Sequence, residues 1–180
     1  AVELEKARFA VQIEMPEKDE LDGESFENLS AKGIDSIEFY FSANVGESPK
    51  PLARVASGGE ASRLMLILKT TAGTKDAETT AVFDEIDAGI GGRVAEAVGL
   101  KLKTLAKMQQ VLCVTHQPQV ASQADRHFLI EKSMAKNRTT IAVRELDKNE
   151  RIEEVARMLA GEKITNAARE NAREMIAAAG

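Results

Sequence analysis

Apolar residues alternate with polar or small residues in two early segments of the chain, 9–13 and 34–41. This alternation is typical of a β-strand with one face on a core. Two later segments, 81–84 and 111–115, are short and largely apolar, which predicts strands buried on both faces. Further strands are predicted over residues 128–130 and 139–143.

Apolar residues at helical spacing predict the remaining elements. One helix is expected from about residue 58 to 72 and another over 92–107. A short helix should follow Pro118, because proline is accepted in the first turn of a helix. The C-terminal segment predicts two helices over 148–179, broken near Gly161 and with Thr165 as an N-cap.

Strands that alternate with helices favour an α/β fold whose sheet is mostly parallel, with flanking helices and antiparallel strands added near both ends of the chain. The 180 residues suit one domain. We expect an acidic strand and loop segment over 1–50, with loops at 16–33 and 44–51, then a core over 51–147 and C-terminal helices over 148–180.

Charge is unevenly distributed along the chain. The formal net charge is -5, and residues 1–50 carry 12 acidic but only 5 basic side chains. Because no dense basic stripe is present, the sequence does not favour direct nucleic-acid binding by this segment alone. Any contact with DNA is expected to be made through a larger assembly.

The sequence favours a cytoplasmic protein. Cys113 is the only cysteine, so an internal disulfide is impossible and a reducing compartment is expected. Neither a membrane helix nor a signal peptide is predicted, because no apolar run approaches the length of about 18–20 residues that spans a bilayer. The chain begins with Ala1 rather than Met, and we expect either a processed product or a fragment of a longer protein.

Ser57-Gly58-Gly59-Glu60 begins the first predicted helix. Ser-x-x-Glu is a common capping box, in which serine and glutamate bond the first backbone amides. Two glycines in the first turn weaken a helix, and close approach of a partner or a phosphate is the usual reason for them. Because helix N-termini attract anions, this segment is a candidate phosphate contact.

Asp84 and Glu85 end the predicted strand 81–84, at the edge where open parallel sheets gather their ligands. A carboxylate such as Asp84 can hold Mg²⁺, mostly through water. Glu85 is placed to orient or deprotonate an attacking water. The alternative interpretation is a solvated strand end.

His116 ends the next apolar strand, after a crossover long enough for one helix. Two neighbouring parallel strands would bring it to the same sheet edge as Asp84 and Glu85, where it could contact a terminal phosphate. A plain hydrogen-bonding residue is the alternative, and His127 receives only that interpretation. The glycine-rich segment 87–92, which follows the carboxylates, suits contact with a partner subunit.

Three motifs in this order resemble the signature motif, Walker B motif and switch histidine of ABC-type ATPase heads: residues 57–60, 83–87 and 114–116. The longer segments 55–63, 83–92 and 114–121 closely resemble the RecN family, SMC-like ATPases that act in recombinational repair of DNA double-strand breaks. The resemblance covers most of the chain. It implies the C-terminal lobe of an ABC/SMC-type, P-loop NTPase-like head.

The resemblance also implies roles for the residues of these motifs. Glu85 and His116 would act on ATP bound to the same head, with Mg²⁺ at Asp84. The signature residues would contact ATP bound to an opposing head of a homodimer, and the D-loop would lie across the dimer seam. The signature residues are Ser57, Gly58, Gly59 and Glu60, and the D-loop residues are Asp87, Gly89 and Gly91.

This chain departs from the wider ABC pattern in two places. Many heads carry Leu-Asp in the D-loop where this chain has Ile90-Gly91, so a D-loop carboxylate role cannot be transferred. The chain also contains no Gly-Lys dipeptide and therefore no phosphate-binding Walker A loop. In SMC-like proteins that loop lies in the N-terminal lobe, before a long coiled coil.

We therefore expect this lobe to need the N-terminal lobe of the same protein as a partner and to be inactive alone. We expect it to contact DNA only in the full-length assembly, and to act on the nucleoid away from membranes. Two other functions remain open at this stage. One is a metal-dependent nuclease or phosphoesterase that uses Asp84, Glu85 and Asp87. The other is a non-catalytic module for head dimerisation.

Overall fold

A computed structural model describes residues 6–14, 33, 35–42, 46–54, 58–72, 79–135 and 138–180. The elements in chain order are β1 Arg8–Glu14, β2 Ser36–Ser42, β3 Lys50–Pro51, a 3-10 turn Leu52–Arg54, α1 Gly58–Ala72, β4 Thr80–Phe83, α2 Gly92–Ala106, β5 Gln110–Cys113, α3 Pro118–Ala121, β6 Phe128–Ala135, β7 Arg138–Glu145, α4 Lys148–Ala160 and α5 Asn166–Ala179.

The centre of the fold is a parallel strand pair with helices packed on it. β4 pairs with β5 in parallel, Ala81 lying opposite Val111 and Phe83 opposite Cys113. Their crossover is α2, and α1 packs beside α2, so the predicted α/β arrangement is confirmed. The core between these elements contains Leu66, Ala81, Phe83, Ile86, Ile90, Ala95, Val98, Leu102, Leu105 and Val120.

The described strands near both ends of the chain pair antiparallel, as the alternating patterns predict. β1 pairs with β2 and β6 pairs with β7, while β4–β5 is the parallel ladder of the described residues. The prediction of a loop over 44–51 is wrong at its end, because Lys50 and Pro51 pair with Phe41 and Tyr40 of β2. Proline lacks a backbone donor, which keeps this edge strand short.

The two predicted C-terminal helices are present, and they pack on each other. Asp147 caps α4 with a complete capping box with Glu150, and Thr165 accepts a hydrogen bond from the amide of Ala168 at the start of α5. Gly161, with φ of 74°, ends α4. The pair forms a second apolar cluster, which joins α3 to the tail through Ala121, Val155, Ala156 and Ala172.

Each of the three described sheets keeps an exposed apolar face. On the central ladder, Val82 and Leu112 lie opposite each other and are 67% and 49% exposed. Apolar sheet faces of this extent normally pack against another layer. The exposed large apolar side chains of the other two described sheets are Phe9, Val11, Ile13, Ile37 and Phe39 on β1–β2, and Phe128, Ile130, Met134, Ile141 and Val143 on β6–β7.

Gly99 allows α2 and α3 to approach closely. A Cβ at this position would lie 2.8 Å from Cγ of Gln123 and 3.1 Å from the carbonyl oxygen of Gln119. We expect Gly99→Val to lower the free energy of unfolding by about 1–3 kcal/mol, because the added side chain overpacks this contact. Urea unfolding of the chain, followed by circular dichroism, measures the change. Glu96→Val, on the exposed side of α2, is the control and should change stability by only about 0.5 kcal/mol.

Among the described residues, no helix combines the length and the apolar character required to cross a membrane.

Candidate functional site

The carboxyl ends of β4 and β5 lie side by side. Pairing continues past the last strand residues, because the amide of Val114 donates to the carbonyl of Phe83 at 2.9 Å. Asp84 and Glu85 follow one strand and His116 follows the other. The expectation that neighbouring parallel strands bring these residues to one sheet edge is therefore confirmed.

The strands end earlier than predicted, at Phe83 and at Cys113. Asp84 and Glu85 consequently lie in the turn after β4, where the alternation of a strand no longer sends neighbouring side chains to opposite faces. Both side chains are exposed. Two adjacent carboxylates can therefore serve the same edge of the sheet.

Glu85 has an unusual backbone conformation. Its φ of 56° is the only positive value among the non-glycine residues that the structure describes. Side chains other than those of glycine adopt this region at a conformational cost, and such residues cluster at functional sites. The amide of Glu85 donates to Oδ1 of Asp84 at 2.9 Å, which links the two carboxylate residues.

Two side chains near the N-terminus of α1 form hydrogen bonds with the backbone of the turn that follows β4. The hydroxyl of Ser62 donates to the carbonyl of Asp84 at 3.0 Å. Nη1 of the buried Arg63 donates to the carbonyls of Ile86 and Ala88, at 3.3 and 3.1 Å.

Sequence reasoning assigned no role to Ser62 or Arg63. A signal for Arg63 does exist, because it lies three residues before the core residue Leu66 and so shares its face of the helix. A charged residue in the register of a core position requires polar partners.

Gly58 and Gly59 lie against the turn after β4. A Cβ on Gly58 would lie 2.6 Å from Oε2 of Glu85. A Cβ on Gly59 would lie 3.0 Å from the carbonyl of Glu85 and 3.1 Å from Cβ of Ala88. Close approach of the backbone of this turn therefore explains Gly59, whereas Gly58 faces only the end of the Glu85 side chain. Glu60 lies in the first turn of α1, and Ser57, with its proposed capping role, lies outside the described residues.

The D-loop prediction for Asp87 implies an exposed position at the surface, but the structure buries this residue. Its side chain is only 2% exposed. Oδ2 accepts hydrogen bonds from the hydroxyl of Thr115 at 2.5 Å and from the amide of His116 at 3.0 Å. The carboxylate is directed inward because these donors follow the neighbouring strand, so its position does not suit direct contact with a nucleotide.

The rest of the glycine-rich segment divides into buried and exposed positions. Ile86 and Ile90 are buried in the core, and the side-chain amide of Gln117 donates to the carbonyl of Ile90 at 3.1 Å. Gly89 and Gly91 are exposed. Gly89 has φ of 73°, a conformation that glycine adopts without strain.

His116 combines a fixed backbone with an accessible ring. Its side chain is 73% exposed, and Nδ1 lies 3.2 Å from Oδ2 of Asp87. Nε2 lies 3.4 Å from the side-chain amide of Gln117. Asp87 therefore positions the imidazole ring of His116, and the ring remains accessible to a ligand at the sheet edge.

Cys113 is partly buried and packs against the core. His127 is not confirmed as a plain hydrogen-bonding residue, because its buried Nδ1 has no hydrogen-bond partner among the described residues. Burial, together with the negative charges of the nearby Asp87 and Asp84 carboxylates, raises the pKa of the Cys113 thiol to about 12. The thiol is therefore protonated near neutral pH and behaves as a small apolar group. Burial, followed by the charge of Arg151, lowers the pKa of His127.

No group of three or more His, Cys, Asp and Glu side chains in the described parts of the chain is arranged to hold a metal ion together. The nuclease alternative requires Asp84, Glu85 and Asp87 to share ions, but Asp87 is directed towards Thr115 and His116. The exposed Asp84 fits a different site, in which one carboxylate, water and substrate phosphates surround Mg²⁺.

Comparison with curated proteins finds relatives that share one description. The chain is 43% identical over 176 residues to the DNA repair protein RecN of Halalkalibacterium halodurans, which covers 98% of this chain and 30% of that protein. It is 43% identical over 148 residues to RecN of Bacillus subtilis, covering 82% of this chain and 26% of that protein. It is 39% identical over 173 residues to RecN of Haemophilus influenzae, covering 96% and 29%.

The other comparisons contribute less. No protein-family model matches the chain. One solved structure, from work on the ATP-driven dimerization and DNA-stimulated activation of SMC ATPases, aligns with a TM-score of 0.41 and 17% identity, covering 85% of this chain and 84% of that chain. The chain spans about 30% of the length of the first relatives it matches and corresponds to a C-terminal part of them.

Proposed function

Because the chain belongs to the RecN family of DNA repair proteins, we propose that it forms the C-terminal lobe of an ATP-hydrolysing head that acts in recombinational repair of double-strand breaks. The observation that carries the proposal is the common sheet edge at which Asp84, Glu85 and His116 follow paired parallel strands. ATP is the proposed substrate, and Mg²⁺ is the proposed metal.

Each of these residues has a distinct proposed task. Glu85 orients the water that attacks the terminal phosphate or accepts a proton from it. For either role the carboxylate must lie within hydrogen-bond distance of that water. His116 offers its exposed ring to the same phosphate, with its backbone held by Asp87. Asp84 would hold Mg²⁺, which when bound neutralises charge on the phosphate oxygens.

The signature segment serves a second nucleotide in this proposal. Ser57, Gly58, Gly59 and Glu60 would meet the terminal phosphate of ATP held by the opposing head of a homodimer. The α1 helix supports this role, because the N-terminus of a helix favours anions. The exposed Gly89 and Gly91 would lie along the seam between the two heads.

The exposed apolar face of β4–β5 supports a requirement for a second lobe. Val82, Leu112 and Val114 are each about half exposed or more. We propose that the N-terminal lobe of the same protein, which would supply the Walker A loop, covers this face. Contact with DNA would then belong to the full-length assembly, which we place in the cytoplasm on the nucleoid.

We predict that the isolated chain does not turn over ATP, because none of its segments has the phosphate-binding loop pattern. Mixing it with the N-terminal lobe of a RecN-family protein should produce hydrolysis that is measurable by phosphate release. Val82→Lys should weaken this complementation, since it places a charge on the face to be covered. Leu100→Lys, at an apolar position on the exposed side of α2 and not on a sheet face, is the matched surface control.

Three results would contradict the proposed function. Turnover by the chain alone, at the rate of the mixed lobes, would refute the half-site proposal. Cleavage of DNA by the purified chain with Mg²⁺ or Mn²⁺ would favour the nuclease alternative. If Ser57→Arg in the full-length protein leaves ATP-dependent association of heads intact, the chain would instead be a dimerisation module whose signature segment does not meet nucleotide.

A further inference from the structure

The turn after β4 is held from one side by a single helix. Three carbonyl groups in this turn, those of Asp84, Ile86 and Ala88, accept hydrogen bonds from side chains of α1. They flank Glu85, so the residue with the strained backbone has a restrained neighbour on each side. Strained backbone conformations persist only where the surrounding structure holds them. These hydrogen bonds hold the backbone on both sides of Glu85.

Arg63 is an uncommon choice for this task. It is only 7% exposed, and burial of a charged side chain is costly unless polar partners receive it. Its Nη1 reaches the carbonyls of both Ile86 and Ala88, which one planar guanidinium can bridge. A Cβ on Gly59 would lie 3.1 Å from the same Nη1, so the glycine also leaves room for the arginine.

Ser62 restrains the other side of the turn. Its hydroxyl donates to the carbonyl of Asp84 at 3.0 Å, immediately before Glu85. Ser62 is half-buried, whereas Arg63 is buried in the next position of the helix. The two residues therefore bind both ends of the strained peptide segment from adjacent positions of α1.

We infer that Ser62 and Arg63 are positioning residues that hold Glu85 in the geometry needed for hydrolysis. The inference rests on the proposed function, in which Glu85 orients the attacking water. It also has a consequence for the dimer. The helix end proposed to meet ATP on the opposing head is joined, within two turns, to the turn that carries the base for this head's own ATP.

The test uses a full-length RecN-family protein that carries this chain as its C-terminal part. Arg63→Met should lower kcat by about 10- to 100-fold, because a small displacement of a reacting group has an effect of this size. KM for ATP should stay within about twofold, since the variant changes the position of Glu85 and not nucleotide binding. ATP-dependent association of heads should persist.

Two further variants distinguish positioning from general stability. Ser62→Ala removes a single hydrogen bond at a half-buried site, and should lower kcat in the same direction by a smaller factor. Arg63→Lys retains a donor and should recover part of the kcat lost in Arg63→Met. Arg93→Met, an exposed arginine on α2, is the control and should leave kcat unchanged. Circular dichroism and thermal melting report whether each variant is folded.

The outcomes separate this inference from the function on which it depends. If Glu85→Gln leaves hydrolysis intact, the proposed function fails. If Glu85→Gln abolishes hydrolysis while Ser62→Ala and Arg63→Met retain the kcat of the parent protein, only the positioning inference fails. If Arg63→Met does not fold, Ser62→Ala and Arg63→Lys decide the matter, and an unchanged kcat in both overturns the inference.

Discussion

Glu85→Gln in the full-length protein is expected to reduce ATP hydrolysis by about 100-fold or more, a typical contribution of a positioned general base. The amide has nearly the shape of the carboxylate but cannot accept the proton of the attacking water. Because Glu85 lies after β4 and outside the segments proposed to hold phosphate, ATP binding should be retained. Phosphate release under saturating ATP measures the first effect, and equilibrium binding of a fluorescent ATP analogue measures the second.

Glu96→Gln is the matched control, because Glu96 is an exposed glutamate on α2 and is remote in sequence from the carboxylates. It should hydrolyse ATP at the parent rate. The Glu85 variant should also accumulate ATP-bound pairs of heads, since the step that separates them is slowed. An unchanged rate in Glu85→Gln would remove Glu85 from the reaction and leave the site without its base.

The location of the site could be predicted from the sequence because it depends on local patterns. Short apolar runs separated by one helical segment predict neighbouring parallel strands, and the residues that follow such strands share an edge. This pattern predicts that Asp84 and His116 lie at the same edge of the sheet, and the parallel pairing of β4 and β5 confirms the prediction. Helix boundaries followed for the same reason, since α1 begins and ends where apolar spacing places it.

The partners of the residues that support the site could not be predicted, because these contacts join residues far apart in the sequence. Arg63 meets carbonyls that lie 23 and 25 residues further along the chain, and no motif encodes an interaction with backbone oxygen. The positive φ of Glu85 likewise belongs to a residue type that rarely adopts it. Only tertiary packing determines such a conformation.

Asp87 illustrates how a motif name can conceal a structural role. The resemblance placed it in a loop at the dimer seam, whereas its carboxylate is buried between the turn after β4 and the residues that follow β5. Exposure distinguishes it from Gly89 and Gly91, which remain accessible in the same segment. We therefore assign Asp87 to the support of His116 rather than to nucleotide contact.

Asp87→Ala is expected to lower the free energy of unfolding by about 1–3 kcal/mol, because it leaves the partly buried donors of Thr115 and His116 without their acceptor. In the full-length protein, hydrolysis should also fall by about 10-fold or more, since the backbone that positions the His116 ring is released. Urea unfolding of the chain and phosphate release measure the two effects. Asp35→Ala, at an exposed acidic position, should alter neither.

A double-mutant cycle separates the support of His116 from the simple loss of a buried side chain. Thr115→Val removes the hydroxyl that donates to Asp87 at 2.5 Å. If the hydrogen bond joins the two loops, the combined variant should be more stable than the sum of the single changes predicts, by about 0.5–3 kcal/mol. Asp87→Asn should lose less stability than Asp87→Ala, because one amide oxygen can still accept from Thr115 and His116. Strict additivity in the cycle, with normal hydrolysis in Asp87→Ala, would show that the two loops are independent and that His116 is positioned by other contacts.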